Sequence, residues 1–235
     1  MSGGPGGMPR LPGGAKPARG YAQPKFAFNE GETLAAGADR VGIVLLAAGR
    51  GSRFGDEAPK TLARLGRRPL VTHAVAAATM SGLRPLVVVV GCSAPEVARA
   101  AGTLAEIVEN PDWAEGMSTS LRAGLATVLP DSSVTAVAVA LADQPRIGAE
   151  AYRRLAAAHR AGASLAVATY AGKRGHPVLI GRAHFDEAMR MQGDEGARSL
   201  LGAHDVVDVP CDGTGDAADV DTPADLAALE GPAPG

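Results

Sequence analysis

VGIVLLAAGRGSRFGDEAPK, Val41 to Lys60, begins as an apolar run, breaks into a glycine-rich basic loop and closes on a lysine. Val41, Ile43, Val44, Leu45 and Leu46 have the aliphatic, largely β-branched composition of a strand buried on both faces of a parallel sheet. The loop starts where that run stops. Gly49, Gly51 and Gly55 let backbone N–H groups approach an anion with no Cβ in the way. Arg50, Arg53 and Lys60 supply the countercharge, and planar forks mixed with a mobile point charge suit a polyphosphate better than a single carboxylate.

Two familiar phosphate loops do not fit this stretch. In a dinucleotide fingerprint Phe54 would occupy the third glycine's place, and about twenty residues on the chain reads Pro69, Leu70, Val71, Thr72, with no acid for a ribose. A Walker loop needs Gly-Lys-Ser/Thr, and Lys60 follows Pro59.

Working outward, residues 1–38 hold Gly3, Gly4, Pro5, Gly6, Gly7, Pro9, Pro12, Gly13, Gly14 and Pro17, which leave little to bury. That stretch is expected to be disordered or loosely attached, with one nucleotide-handling domain over 39–230 and a tail at 231–235. The 235 residues fit one large α/β domain. A formal net charge of -2 lacks the basic footprint of a nucleic-acid binder. No run of about eighteen apolar residues occurs, so no membrane span is expected, and without a secretory h-region the expected location is the cytoplasm. Cys92 and Cys211 stand far apart and are read as two reduced thiols.

From Val41 onward strand-like runs alternate with helix-like segments, which predicts a Rossmann-like three-layer α/β/α fold with a mostly parallel sheet. Helices are expected over 69–80, 94–104 with Ser93 as N-cap, 118–129, 149–161, 182–191, 195–201 and 223–229. Strands are expected at 85–90, 106–109, 134–141, 164–170, 178–180 and 206–209, with Gly175, His176 and Pro177 interrupting before the strand at 178.

In such a sheet ligands bind beyond the carboxyl ends of the strands. Asp143 directly follows VTAVAVAL, where a carboxylate either coordinates Mg²⁺ shared with phosphate oxygens or caps the next turn. Asp219 and Asp221 stand at i and i+2 before a helix opened by Thr222 and Pro223, so Asp221 is either a second ligand or part of a helix cap. In NPDWAEGMSTSL, from Asn110 to Leu121, free N–H groups near Ser118 and Ser120 suit a phosphate or a base edge. Trp113 reads as a packing anchor rather than a stacking platform. His176, a lone histidine beside Lys173 and Arg174, is either structural or marks a docking place for an anionic acceptor, and a general-base role is not expected of it.

Taken together and in this order, LAAGRGSRFG with Lys60, ENPDW and GMSTSL, ADQP, GHPVLI, GDEGARSLL and DVDTPADL resemble the MobA-like nucleotidyltransferases, in their molybdenum cofactor cytidylyltransferase branch. The resemblance spans nearly all of 41–229. It implies transfer of CMP from CTP to the phosphate of molybdenum cofactor with release of pyrophosphate, and a molybdoenzyme as client. It implies nucleotide contacts from Leu46, Ala47, Ala48, Gly49, Arg50, Gly51, Gly91, Asn110, Ser118 and Ser120, with Arg53 and Lys60 on the phosphates. It further implies Mg²⁺, or Mn²⁺ in its place, on Asp143 and Asp221, and an acceptor facing His176, Pro177, Asp194 and Arg198. LAAG in the loop is similar to the CTP-using branch. Ala142 replaces a glycine common in related enzymes, and its Cβ is expected to crowd the metal. Two rivals remain at this stage: an enzyme of the same architecture with GTP or another phosphorylated acceptor, and a non-catalytic nucleotide-binding cofactor chaperone.

Overall fold

A computed structural model describes Met1, residues 40–51, Phe54 and residues 58–230. The expectations for 2–38 and for the tail at 231–235 lie outside the described residues, as does Arg53.

β1 (Arg40–Ala47) is followed by a hairpin of β2 (Arg64–Leu65) and β3 (Arg68–Pro69), then α1 (Leu70–Met80), β4 (Leu86–Val90), α2 (Ala94–Ala101) and β5 (Glu106–Glu109). Next come α3 (Met117–Val128), β6 (Val134–Leu141), α4 (Ala149–Arg160), β7 (Leu165–Tyr170) and β8 (Lys173–Gly181). The chain ends with α5 (Phe185–Ala188), β9 (Val207–Pro210) and α6 (Pro223–Glu230). The main sheet runs β5-β4-β1-β6-β8-β7-β9. All its strands are parallel except β8, which pairs antiparallel with both β6 and β7.

Strand alternation divides the core. Ile43, Leu45 and Ala47 face one side and pack with Val71 and Val75 of α1, Val97 of α2 and Tyr152 and Leu155 of α4. Val44 and Leu46 face the other side with Leu121 and Leu125 of α3 and Phe185 of α5. A period of two on both faces of an all-apolar strand makes three layers, as the sequence predicts. From β1 the chain moves outward through β4 to β5, then returns to place β6 on the other flank of β1. That reversal opens a crevice past Ala47 and Leu141.

Several elements depart from expectation. The GHP segment does not precede a strand but lies inside β8, where the His176–Pro177 peptide is cis. The β7–β8 pairing passes from Thr169↔Arg174 to Val167↔Val178, so residues 175–177 fill an irregularity and the missing proline N–H leaves no gap in the ladder. Gly102, at φ 79, stops α2 at Ala101 rather than Leu104. Ser93 takes the N-cap position of α2 as expected, but at φ 51 its side chain makes no cap bond. Residues 182–191 form a 3-10 turn (Arg182–His184) and one helical turn, and 197–202 is a 3-10 turn.

Candidate active site

The loops at the crevice are stitched together by backbone bonds across the sheet end. Ala142 N–H donates to Leu46 O at 3.0 Å, Cys92 N–H to Ala48 O at 2.9 Å and Val220 N–H to Asp143 O at 3.1 Å. Lys60 N–H donates to Arg50 O at 3.2 Å, which folds the end of the glycine-rich loop back over its beginning. Gly51, at φ 71, makes that reversal, and a Cβ there would meet the Lys60 side chain.

A cleft of about 560 Å³ results, lined by Leu46, Ala47, Ala48, Gly49, Arg50, Gly51, Lys60, Ser120, Asp143, Asp194 and Asp221. These expected residues are brought together. At its floor the Lys60 ammonium lies 2.5 Å from Asp143 Oδ2 and 2.6 Å from Asp221 Oδ1. Burial alone would lower the lysine's pKa, but the attraction and hydrogen bonds of Asp143 and Asp221 outweigh it, and the pKa is raised. Lys60 is therefore held charged between two carboxylates.

The helix start explains why Asp221 faces this way. Thr222 and Asp225 exchange hydrogen bonds, Thr222 N–H to Asp225 Oδ2 at 2.8 Å and Asp225 N–H to Thr222 Oγ1 at 3.2 Å, which is a capping box. Capping thus falls to Thr222 and Asp225, while the Asp221 carboxylate reaches Lys60. Asp219 takes another partner: Gln144 Nε2 donates to its Oδ1 at 2.8 Å. Partial desolvation and then the charge of Asp143 raise the Asp219 pKa against that bond.

The donor set fits a divalent cation. Two carboxylate oxygens already converge on one cationic nitrogen, and Asp143 Oδ1 is buried with no hydrogen-bond partner among the described residues. Oxygen ligands of this kind suit Mg²⁺ or Mn²⁺. Ala142 is fully buried in the core with α1, α2 and α4 and does not line the cleft.

Other expected residues stand back from the cleft. Asn110 is buried, and its Nδ2 donates to Thr119 Oγ1 at 2.8 Å and Ser120 Oγ at 3.0 Å, so it braces the start of α3. Ser118 is buried, and its N–H donates to Gly193 O, which occupies a donor expected for a ligand. Gly91 sits behind the wall, where a Cβ would fall 2.7 Å from Trp113 Cβ. His176 and Pro177 are buried in β8. Arg198 Nη2 lies 3.5 Å from His176 Nδ1, and burial, followed by that guanidinium, pushes the imidazole down to about 3.

Trp113 does more than its packing role. It is half-buried against the α3 face of the core, it lines the cleft, and the Arg50 guanidinium lies 5.8 Å from its ring centroid. Thr61, Gly116 and Met117 also line the cleft and were not expected there. Thr61 and Met117 neighbour singled-out residues, but only the turn at Lys60 and the start of α3 aim them inward.

A switch-point crevice with a cationic loop on one lip and paired acids on the other defines an α/β enzyme that handles nucleoside phosphates. The MobA-like NTP transferase domain matches residues 43–208, and the chain belongs to that family of nucleotidyltransferases. Among solved structures, a homologue of Mycobacterium tuberculosis Rv0371c from Mycobacterium sp. strain JC1 is 35% identical with a TM-score of 0.72, covering 82% of this chain and 98% of that one. M. tuberculosis Rv0371c in complex with manganese is 31% identical with a TM-score of 0.68, covering 81% and 97%. The bifunctional protein GlmU of Gluconobacter oxydans is 37% identical over 54% of this chain, which spans 27% of GlmU's length. No described helix is long and apolar enough to cross a membrane.

Proposed function

We propose that this chain is a cytidylyltransferase that moves CMP from CTP onto the phosphate of molybdenum cofactor. The observation that carries the transfer chemistry is the Lys60 ammonium clasped by Asp143 and Asp221 at the floor of a glycine-walled cleft. CTP and the acceptor are assigned from the sequence motifs: LAAG in the first loop, and the GHPVLI and GDEGARSLL segments that carry His176, Asp194 and Arg198.

A terminal oxygen of the acceptor's phosphate attacks the α-phosphorus of CTP and forms a new P–O bond. The bond from that phosphorus to the bridging oxygen breaks, and its electron pair leaves with pyrophosphate. Ala47 to Gly51 present backbone to the triphosphate, with Arg50 beside Trp113 at one edge. Lys60 neutralises charge that grows on the departing pyrophosphate, and Arg53 is assigned the same task by its place in the loop. Asp143 and Asp221 would hold a divalent cation, Mg²⁺ or Mn²⁺, which supplies further charge neutralisation on the phosphates. His176 is buried and neutral, so it serves as acceptor for Arg198 and directs that guanidinium toward an anionic group rather than removing a proton. Positioning and electrostatics suffice for this reaction class.

The test is incubation with Mg²⁺, each NTP in turn, and molybdenum cofactor, a sugar phosphate or an alcohol phosphate, read as pyrophosphate. Release with CTP and molybdenum cofactor is expected. Release only with another acceptor or with GTP overturns the substrate assignment, and CTP binding without release in any mixture overturns transfer in favour of a chaperone.

A further inference from the structure

On the α3 face of the sheet, outside the cleft, His184, Glu187 and His204 bring their ligand atoms within 4.8 Å of one another. His184 closes the 3-10 turn before α5, Glu187 lies on α5, and His204 follows the turn at 197–202. His204 Nε2 lies 2.7 Å from Glu187 Oε2, His184 Nδ1 lies 3.9 Å from the same oxygen, and the two imidazoles meet edge to face with centroids 4.7 Å apart.

We infer that these three side chains form a second metal site, for a divalent transition ion of the zinc class. Two imidazoles and one carboxylate are the borderline donors that such ions prefer over Mg²⁺. An ion of this class would take bonds of about 2.0–2.2 Å from the three ligand atoms, with water in the fourth position. An independent feature supports this assignment. His184 Nε2 lies 3.2 Å from Ser164 Oγ, so the residue just before β7 engages one ring nitrogen and leaves Nδ1 to face Glu187. Metal-ligating histidines are oriented by such an outer partner.

The position gives the ion a task. His184 and Glu187 precede, and His204 follows, the segment that carries Asp194 to the cleft and Arg198 to His176. That segment is tied to α3 by Ser118 N–H to Gly193 O and Arg122 Nη1 to Met191 O. An ion on the three ligands fastens both ends of the acceptor-side segment to each other.

The test titrates the full chain with Co²⁺ under saturating Mg²⁺ and follows the visible absorption of four-coordinate cobalt, with Zn²⁺ as competitor. The wild type is expected to take up one Co²⁺ that Zn²⁺ displaces, and Zn²⁺ is expected to raise its Tm. His204→Ala, whose side chain is 31% exposed, and Glu187→Gln are each expected to weaken Co²⁺ at least about tenfold and to lose the Zn²⁺-dependent Tm shift, while melting as the wild type does in chelator. Asp143→Ala is expected to retain the cobalt site. No cobalt uptake by the wild type, unchanged affinity in His204→Ala, or loss confined to Asp143→Ala overturns the assignment.

Discussion

Lys60 Nζ lies 2.6 Å from Asp221 Oδ1 across 161 residues of chain, and the same nitrogen contacts Asp143. The lysine stands between carboxylates that would otherwise repel each other. Lys60→Met should therefore lose stability. Breaking a buried pair costs about 3–5 kcal/mol, reduced here to about 1–3 because the Asp221 side chain is 40% exposed. Millimolar Mg²⁺ should restore the Tm by taking the place of the ammonium, but not the rate, which should stay at least about tenfold below wild type. A Tm indifferent to Mg²⁺ would contradict this reading.

Gly91→Ala tests the wall behind the loop. The new Cβ would fall 2.7 Å from Trp113 Cβ and Cγ and 2.9 Å from Ala48 Cβ, and both neighbours line the cleft. Crowding of this kind typically costs about 1–3 kcal/mol. Denaturant unfolding should show that loss, nucleotide titration should show weaker binding, and the emission of Trp113, the chain's one tryptophan, should shift.

His176 makes stability depend on pH. Its imidazole is held at about 3 by burial and then by Arg198, against an ordinary value of 6.5. Between those values the unfolded chain binds a proton that the folded chain does not, so stability is fully present above about 6.5 and falls with pH toward 3. The slope from this residue approaches about 1.4 kcal/mol per pH unit. His176→Asn keeps an acceptor for Arg198 and removes the titration. Its denaturant-derived stability should fall less steeply than wild type from pH 6.5 downward, and parallel slopes would count against a neutral buried imidazole.

Much of this architecture is legible in the chain because its strands are apolar on both faces and its loops are punctuated by Gly and Pro. LVVVV and VTAVAVAL announce buried strands, and the residues that follow each strand mark the cleft. The orientation of β8 was not legible, since residues 173–177 read as a polar turn and only pairing with β7 shows Lys173 and Arg174 to be strand. Ser118 reads as a ligand contact because small polar residues at a helix start resemble an anion site, and Asn110 reads so only through the family resemblance. Tertiary bonds to Thr119, Ser120 and Gly193 occupy them instead. The hairpin at 64–69 carries one weak signal, Gly66 at φ 59, and strands this short leave no periodicity.

Pyrophosphate release by Asp143→Ala, measured with CTP, Mg²⁺ and molybdenum cofactor beside the wild type, addresses the central claim most directly. Asp143 is nearly buried, one carboxylate oxygen faces Lys60, and the other has no hydrogen-bond partner among the described residues. Its removal should abolish transfer while circular dichroism and the cooperative unfolding transition remain. Wild-type release by a folded Asp143→Ala chain would show that the reaction does not run through the paired acids at the cleft floor.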